Sequence, residues 1–383
     1  MKIIYISHLH PSEEDALSNI GGTQTVSVQI LKALEQHPDV TVHPILLKGS
    51  GRWIELRSLW FLLKLYRTLP QIIAAEEGDL VFFISMVTAS MAFFLRHKIS
   101  IPMVTLNHGQ DVIDRFWPYQ QLVRRVFKSL DGVVSVSSAT SAACLARGLS
   151  PTKATVLPNG IVVDVHRPFS RQDSRAYLEQ ALNLKLGYQS LLLSVGRQVK
   201  RKGHAWFIQQ VLPRLETDVL LLLIGDGSEA QTLHRLKQES PQGDRIILAG
   251  KVSPGLLQHA YDAADLFVMP NIPVAGDMEG FGVVILEANE ARTPAIASAL
   301  EGIQDVICSG VNGYTVEPLN PHRFAAAVDA ALQNDLATLS ATSYQHVLKN
   351  HQWKAIGDRY VAFFQGVIAR NNCQSGQRVP SRP

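Results

Sequence analysis

Cysteine is scarce in this sequence. Its three cysteines, Cys144, Cys308 and Cys373, lie far apart in a chain of 383 residues. This spacing excludes a disulfide framework and a cysteine-based metal site, so we expect a reducing compartment such as the cytoplasm. A large excess of charge is also lacking, since the formal net charge at pH 7 is +3. That balance argues against a nucleic-acid partner.

Long hydrophobic runs are missing as well. The longest apolar stretch, residues 80–95, is shorter than a membrane span and is interrupted by Ser85, Thr88 and Ser90. We interpret it as a strand followed by a buried helix. The apolar run over residues 1–7 is too short for a signal sequence and is predicted to be the first buried strand.

Short apolar runs alternate with longer helical patterns along the chain. The runs are continuously hydrophobic, which is typical of strands buried on both faces of a parallel sheet. Strands are predicted at Lys2–Ser7, Val40–Leu46, Leu80–Ile84, Met103–Leu106, Val133–Val136, Thr155–Leu157, Leu191–Val195, Val219–Ile224, Ile246–Leu248, Leu266–Met269 and Ala295–Ala297. We therefore predict an α/β protein with two doubly wound, Rossmann-like domains that face each other across a cleft.

The chain exceeds the usual size of a single core, which favours two domains. Residues 1–170 are predicted to form the first domain and residues 185–350 the second. The break between them is expected near Arg167–Tyr188, a charged and weakly apolar stretch. The tail 371–383 lacks a core-forming pattern and is predicted to be disordered.

Two carboxylates stand eight residues apart in the segment Met278–Ala288. Glu279 lies beside glycine and Glu287 lies in an apolar, helix-compatible run. At about 3.6 residues per turn, both can lie on one side of the element. The glycines allow close backbone approach, and a helix start after them favours phosphate. This arrangement suits a nucleotide-sugar, although a solvated helix edge is the alternative.

A basic loop bounded by Gly196 and Gly203 follows the strand predicted at Leu191–Val195. Such a loop between a strand and a helix can hold a diphosphate. Arg197 can chelate phosphate oxygens through its fork and Lys202 can act as a point charge. A solvated charge run is the alternative, and we assign Lys200 and Arg201 to it. After the next strand, the turn at Gly225 would lie near a nucleotide base, with the backbone around Val252 reading the base edge.

The predicted first domain has three further candidates. Gly21 and Gly22 open a helical run and can admit phosphate, although a helix-entry turn explains them nearly as well; they do not form the dinucleotide fingerprint. His108 ends a predicted strand and is expected to point into the cleft, with a structural histidine as the alternative. Asn159 follows a strand at the domain junction, where a simple turn is the alternative.

Taken together, these motifs resemble those of the retaining glycosyltransferases of family 4, which have the GT-B fold. The matching pieces are Gly21-Gly22-Thr23, His108-Gly109-x-Asp111, Pro158-Asn159-Gly160, Gly196-Arg197-x4-Lys202-Gly203, Gly225-x-Gly227 and Glu279-Gly280-Phe281-Gly282-x4-Glu287. Each motif is moderately specific, but together they span nearly the whole chain in the family's order. The sequence departs from the family in a longer lead-in to Glu279, residues 272–277.

The resemblance implies roles for these residues. Arg197 and Lys202 would hold the donor diphosphate and stabilise it as the leaving group. Glu279 would contact hydroxyls of the transferred sugar, near which His108 would lie, and Glu287 would bind the ribose. The donor-binding residues expected are Gly22, Asn159, Gly225, Val252, Phe281, Gly282, Val283 and Glu287, and those on the acceptor side are Gly21, Thr23 and Asp111. The resemblance also implies that the helical pattern at about 353–370 crosses back onto the first domain.

The predicted reaction moves a hexose-type sugar from a nucleoside-diphosphate sugar to an acceptor hydroxyl with retention of configuration. The setting expected is bacterial cell-surface polysaccharide or glycolipid synthesis, with a saccharide or lipid-linked acceptor. Because preorganised cations can neutralise the leaving group and no Asp-x-Asp pair ends a strand, neither a metal nor another cofactor is expected. A nucleotide-sugar epimerase, a phosphorylase and a non-catalytic sugar-nucleotide binding module are the alternatives. A nicotinamide oxidoreductase is disfavoured because its glycine fingerprint is missing.

Basic and bulky apolar residues also cluster in the predicted first domain. The basic residues are Lys48, Arg52, Arg57, Lys64, Arg67, Arg115, Arg124, Arg125 and Lys128, and the apolar ones are Trp53, Leu59, Trp60, Phe61, Leu62 and Leu63. Together they predict a face that rests on an anionic membrane surface, and hence peripheral attachment to the inner face of the cell membrane. An ordinary buried helix with a solvated basic edge is the alternative.

Overall fold

The computed structural model describes residues 1–11, 22–49, 54–163 and 170–374. The chain divides into two compact units, the first formed by residues 1–160 together with the chain from 353 onward, and the second by Ile161–Gln352. The division falls before the boundary expected near 167–188, so the helix Arg171–Leu182 belongs to the second unit.

The first unit is built on a parallel sheet. Its strands are β1 (Lys2–His10), β2 (Thr41–Lys48), β3 (Leu80–Phe83), β4 (Met103–Asn107), β5 (Gly132–Ser135) and β6 (Ala154–Val156). Its helices up to the division are α1 (Gly22–Glu35), α2 (Ile54–Glu76), α3 (Met86–Leu95), α4 (Gln110–Ile113), α5 (Trp117–Ser129) and α6 (Ser138–Leu145). The six strands lie in the order β2-β1-β3-β4-β5-β6. Strands β3, β4 and β5 are buried throughout, as their continuous hydrophobicity predicts.

The second unit has a similar plan. Its strands are β7 (Ser190–Val195), β8 (Val219–Ile224), β9 (Ile246–Gly250), β10 (Leu266–Met269), β11 (Ala295–Ser298) and β12 (Gly313–Val316). Its helices are α7 (Arg171–Leu182), α8 (His204–Trp206), α9 (Ala230–Glu239), α10 (Pro254–Ala263), α11 (Val283–Glu290), α12 (Ile303–Val306), α13 (Pro321–Ala330) and α14 (Leu336–Asn350). Residues Phe207–Val211 and Ala331–Asp335 form π-helical turns, and 3₁₀ turns lie at Lys200–Lys202, Leu212–Arg214 and Gly243–Arg245; a further 3₁₀ turn, Pro151–Lys153, belongs to the first unit. The parallel sheet has the order β12-β11-β10-β7-β8-β9.

The final helix, α15 (Trp353–Gln374), is part of the first unit. The rings of Tyr360 and Phe364 lie 5.8 and 4.9 Å from that of Phe82 on β3, measured between centroids. Phe363 packs over Gly132 so closely that a Cβ there would meet its ring at 2.9 Å. The helix therefore covers one face of the first sheet.

The strand predictions are confirmed, with ends that differ by up to three residues. Strand β12 was not predicted because it is a short edge strand that begins with glycine, which weakens the hydrophobic pattern. The predicted start of the disordered tail at 371 is wrong, because α15 continues to Gln374; residues 375–383 lie outside the described residues.

Each sheet has one point where the order of the strands reverses. In the first sheet this point lies between β1 and β3, and in the second between β7 and β10. Open parallel sheets bind ligands beyond the carboxyl ends of the strands that flank such a point. The loops after these four strands are therefore the places to look for a site.

Candidate active site

The loop after β7 is shaped by glycines. Gly196 and Gly225 have φ angles of +144° and +132°, which side chains rarely adopt. A Cβ on Gly225 would lie 1.9 Å from the carbonyl oxygen of Gly196. The Gln198 N–H also donates to the Asp226 carbonyl at 2.9 Å. The predicted glycine turn after β8 thus packs against the basic loop and is hydrogen-bonded to it.

The basic run within this loop turns two of its cations inward. Residues Lys200–Lys202 form a 3₁₀ turn that ends at Gly203, whose φ is +67°. A Cβ on Gly203 would meet the carbonyl oxygen of Pro270 at 1.9 Å, so the turn packs against the chain that leaves β10. Arg201 and Lys202 are buried, whereas Lys200 is exposed.

Glu279 is the centre of the resulting ion cluster. Its Oε2 atom accepts hydrogen bonds from Lys202 Nζ at 2.7 Å and from Asn271 Nδ2 at 3.1 Å, and a third from Arg201 Nη1. Arg201 Nε also donates to Asp277 Oδ1 at 2.9 Å. The loops after β7 and β10 are therefore joined by charge at the point where the strand order reverses.

The assignment of Arg201 to a solvated charge run is wrong, because both of its carboxylate partners lie inside the cluster. Arg197 behaves differently. Its side chain is exposed, and it has no ion pair with any residue that the structure describes. It stands at the start of the same loop, where it is available to an anion from solvent.

Burial and charge set the protonation of the cluster. Burial alone would raise the pKa of Glu279, but Lys202 and Arg201 lower that pKa below its usual range. Burial lowers the pKa of Lys202, and Glu279 opposes this effect. Glu279 is therefore a carboxylate that is kept charged by two cations.

The loop after β11 fixes the backbone of Glu279. The Glu279 N–H donates to the Glu301 carboxylate, and the Gly302 N–H donates to the Glu279 carbonyl at 3.1 Å. Glu301 itself has a φ of +46°, which is strained for a residue with a side chain. Burial, together with the charge of Glu279, raises the pKa of Glu301.

Glu287 lies in a different environment from Glu279. It is half-buried on α11, and its Oε2 accepts a hydrogen bond of 2.6 Å from the Tyr261 hydroxyl. Burial raises its pKa, which the bond from Tyr261 only partly offsets. The helix start predicted after the glycines is confirmed, since α11 begins at Val283 after Gly282, whose φ is +90°. Phe281, the residue before Gly282, is buried.

Two more predicted donor residues lie at strand ends. Val252 is half-buried in the loop between β9 and α10, and β9 is the neighbour of β8 in the sheet. Asn159 is buried in the first unit, three residues after the end of β6.

The first unit contains a cavity of about 520 Å³ at its own reversal point. It is lined by His8, Thr23, Ser85, Val87, His108, Gln110, Asp111, Asp114, Phe116 and Tyr119. Three of the predicted residues, Thr23, His108 and Asp111, thus lie around one space. Gly22 begins α1 with open space beside it, and Gly21 lies outside the described residues.

His108 is held in a defined orientation. Its backbone N–H donates to Asp111 Oδ1 at 3.0 Å, and its Nε2 lies 3.1 Å from the Ile84 carbonyl oxygen. Because a carbonyl only accepts, this contact assigns the ring proton to Nε2 and leaves a lone pair on Nδ1. Burial lowers the pKa of His108, although Asp111 opposes this shift. The ring is therefore a neutral hydrogen-bond acceptor.

His8 also lines the cavity and was not predicted as a site residue. Its Nδ1 lies 3.2 Å from Ser85 Oγ, and burial with the nearby His108 lowers its pKa to about 4. The signal that selected His108, a histidine directly after a predicted strand, is also present at His8.

Two six-stranded parallel sheets of this kind, each with a candidate site at its reversal point, are the architecture of the GT-B class. The family model described as Glycosyl transferases group 1 matches residues 180–350, and the model described as Glycosyltransferase Family 4 matches residues 20–165. The chain belongs to this group 1/family 4 type and is a glycosyltransferase.

Curated relatives of this chain include mannosyltransferases and D-inositol 3-phosphate glycosyltransferases. The GDP-mannose-dependent alpha-(1-6)-phosphatidylinositol monomannoside mannosyltransferase of Mycobacterium tuberculosis is 28% identical over 268 residues, 68% of each chain. The GDP-mannose-dependent monoacylated alpha-(1-6)-phosphatidylinositol monomannoside mannosyltransferase of Corynebacterium glutamicum is 25% identical over 309 residues, 78% of this chain and 79% of that one. A D-inositol 3-phosphate glycosyltransferase of Acidothermus cellulolyticus is 24% identical over 247 residues, 61% of this chain and 53% of that one.

Solved structures share the fold. Sucrose-phosphate synthase from Thermosynechococcus elongatus has a TM-score of 0.76 at 21% identity, with 97% of this chain and 100% of that chain covered. The Anabaena protein HepE in complex with UDP has a TM-score of 0.71 at 17% identity, with 96% and 100% covered. At these identities the likeness establishes the architecture.

Proposed function

We propose that this chain is a retaining, metal-independent glycosyltransferase that moves a hexose-type sugar from a nucleoside-diphosphate sugar to an acceptor hydroxyl. The observation that carries this proposal is the ion pair between the buried Lys202 and the half-buried Glu279, 2.7 Å apart at the reversal point of the second sheet. The mannosyltransferase relatives are named for a GDP-mannose donor, which agrees with a nucleotide-sugar substrate. Cell-surface polysaccharide or glycolipid synthesis is the proposed setting.

The donor diphosphate would lie over the loop after β7. Lys202 and the exposed Arg197 supply positive charge there, and the start of α11 adds the positive end of its helix dipole. These groups stabilise the negative charge that develops on the diphosphate as the bond to the sugar breaks. Glu279 would accept hydrogen bonds from hydroxyls of the transferred sugar.

The remaining donor contacts fall at neighbouring strand ends. Glu287 would accept hydrogen bonds from the ribose, as its exposed edge and its bond to Tyr261 allow. Gly225 would lie beside the base, whose edge the backbone at Val252 would contact. His108, with its lone pair on Nδ1, would accept a hydrogen bond from a sugar hydroxyl.

The acceptor, a saccharide or the sugar end of a lipid-linked molecule, would enter the cavity of the first unit. Its lining offers hydroxyl, carboxylate and neutral imidazole groups together with the rings of Phe116 and Tyr119. This mixture matches a sugar, which presents hydroxyls at its edge and C–H groups on its faces.

Metal independence is supported by the groups that the chain provides. Lys202, Arg197 and the start of α11 supply the charge that a divalent ion would otherwise supply. Within residues 1–11, 22–49, 54–163 and 170–374, no three His, Cys, Asp or Glu side chains are grouped so that they could hold a metal.

Activity of purified protein tests the proposal. A panel of UDP-, GDP- and ADP-sugars would be incubated with saccharide and glycolipid acceptors, with Lys202→Ala as the inactive control. Transfer with the anomeric configuration retained is the expected result. Release of an epimerised nucleotide-sugar, phosphorolysis, or tight nucleotide binding without turnover would favour one of the alternative classes.

A second proposal concerns the membrane surface. Helix α2 exposes an apolar stripe, with Leu56, Leu59, Trp60 and Leu63 at 61, 55, 70 and 54% exposure. Among the residues predicted for this face, Phe61 is buried and Leu62 is half-buried, while Trp53 and the basic Arg52 lie outside the described residues. The exposed cations beside the stripe are Arg57, Lys64 and Arg67. The stripe is thus an apolar, basic-edged face of the kind that binds anionic lipid.

Two further cations contact aromatic rings of α2 and α3. Lys98, in the turn after α3, lies 4.6 Å from the centre of the Tyr66 ring on α2, and Arg125 on α5 lies 5.9 Å from that of Phe93 on α3. Within the described part of the chain, no helix is long and apolar enough to cross a membrane. The proposal is therefore attachment at the surface, where a lipid-linked acceptor would be found.

Sedimentation with vesicles tests this attachment. The wild type should bind anionic vesicles at low salt, bind neutral ones poorly, and be released by salt. The double variant Trp60→Ser/Leu63→Ser should lose binding, whereas Tyr188→Ser, which changes an exposed aromatic residue of the second unit, should not. Wild-type protein that stays in the supernatant with anionic vesicles would favour an acceptor free in solution.

A further inference from the structure

Arg201 is a buried cation that the proposed chemistry leaves unused. Only 7% of the residue is exposed. Its guanidinium joins two carboxylates, with Nε 2.9 Å from Asp277 Oδ1 and Nη1 bonded to Glu279 Oε2. Its backbone carbonyl also accepts a hydrogen bond of 2.9 Å from Ile272 N–H. Arg201 therefore ties the basic loop to the lead-in that distinguishes this sequence.

Lys202 and Arg201 share a single acceptor atom, Glu279 Oε2. In this arrangement the charge of Lys202 is largely neutralised by Glu279. A diphosphate that binds Lys202 must compete with that carboxylate. If Lys202 were its only cationic partner, the carboxylate of Glu279, which has little access to water, would then lack a compensating charge, which is unfavourable.

We propose that Arg201 is a positioning residue that keeps Glu279 charged and in place while Lys202 turns to the donor diphosphate. This inference rests on the proposed function, because it requires a diphosphate at Lys202. The acceptor atoms balance: Glu279 loses the Lys202 bond and keeps those from Arg201 and Asn271, while Lys202 exchanges a carboxylate oxygen for a phosphate oxygen.

The guanidinium is suited to this role by its shape. Its planar fork holds Asp277 and Glu279 at the same time, and a lysine ammonium at this position would not reproduce that geometry. Burial alone would lower the pKa of Arg201, but the two carboxylates raise it, so the group stays charged. The adjacent Lys200 is exposed, which makes it a matched control in the same turn.

Other charged groups surround Glu279 and must be considered in any pH experiment. Asp277 lies in the lead-in of its own loop, and Glu301 in the loop after β11 accepts the Glu279 N–H. His204, whose pKa is lowered to about 3 by burial and by Lys202, lies at the start of α8. Comparing each variant with the wild type at the same pH cancels the titration of the nucleotide and of His204. It does not cancel that of Glu301, whose pKa Arg201 helps to lower in the wild type.

The test measures affinity for UDP, GDP and ADP by calorimetry with the wild type, Arg201→Gln, Arg201→Lys and Lys200→Gln. At pH 8, Arg201→Gln should weaken binding of the preferred nucleotide about ten-fold or more, and Arg201→Lys should weaken it less. Lys200→Gln should bind like the wild type. If Arg201→Gln does not fold, the affinity of Arg201→Lys is compared with that of the wild type in its place.

The pH dependence separates this role from a purely structural one. Without Arg201 the pKa of Glu279 rises, so lowering the pH to about 5.5 lets Glu279 take up a proton and release Lys202. The defect relative to the wild type should therefore shrink as the pH falls. A defect that is constant with pH, or the absence of one, would overturn the inference alone. Failure of the wild type to bind any nucleoside diphosphate would overturn the proposed function and this inference with it.

Discussion

Titratable groups with little access to water are charged at one reversal point of this molecule, whereas two histidines at the other are neutral. At the second sheet, the buried cations Lys202 and Arg201 and the half-buried Glu279 are charges that compensate each other. At the first sheet, burial keeps His8 and His108 neutral. A buried charge is tolerated only when it is paired, whereas a neutral polar group needs only a hydrogen-bond partner. The charged site of the second sheet therefore suits an ionic ligand group. The site of the first sheet, which combines neutral imidazoles with hydroxyl and carboxylate groups, suits hydroxyls.

The largest expected effect comes from removing a cation of the charged site. Lys202→Ala leaves Glu279 with Arg201 as its remaining cation and takes away the ammonium that would face the diphosphate. Turnover should fall strongly, because the activation free energy should rise by about 2–4 kcal/mol. Steady-state kinetics of this variant would be compared with Lys200→Ala, the exposed neighbour. Wild-type turnover in Lys202→Ala would place the diphosphate elsewhere.

Substitutions of Glu279 and Glu287 should have different effects, the first on turnover and the second on nucleotide affinity. Glu279→Ala should lower the turnover number without weakening nucleotide binding, since Glu279 competes with phosphate for Lys202. Glu287→Ala should weaken nucleoside-diphosphate binding by about ten-fold through the ribose. A titration with the free nucleoside diphosphate compares them directly. Equal losses of affinity in both variants would reject this division of roles.

The histidine His8, at the site of the first sheet, should make the stability of the protein depend on pH. The pKa of His8 in the folded protein, about 4, lies below its ordinary value of 6.5, so its contribution to stability is present above pH 6.5 and lost as the pH falls toward 4. The loss amounts to about 3 kcal/mol at most. Urea unfolding at pH 7 and pH 4.5 should show a smaller loss for His8→Gln than for the wild type. His97→Gln, an exposed histidine of the same unit, is the control, and identical pH dependence in all three proteins would mean that His8 does not titrate as expected.

The smallest expected effect is that of a chelator. Because side chains and a helix start would neutralise the leaving group, turnover measured after treatment with EDTA should equal that of untreated protein. An absolute need for added magnesium or manganese would contradict the proposal that the charged site works alone.

Much of the fold was predictable from the sequence because strands such as β8 and β10 are buried on both faces and read as unbroken apolar runs. The glycine positions of the second unit were predictable for a related reason. At Gly225 and Gly203 a side chain would collide with a backbone oxygen, so only glycine fits there and the sequence shows it. The orientation of Arg201 was not predictable. Three successive cations have the same local pattern, and only the 3₁₀ turn and its packing on Pro270 decide which of them turn inward.

The covering of the first sheet by α15 has a consequence for how the chain is made. The second unit is one continuous stretch, Ile161–Gln352, whereas the first unit needs residues from both sides of it. A ribosome releases Phe82 long before Tyr360 and Phe364, the partners that close over it. The half that is synthesised first is thus completed last. Shortening the gene before codon 353 would leave that apolar sheet face open to water in the newly made protein, where exposed apolar surface promotes aggregation.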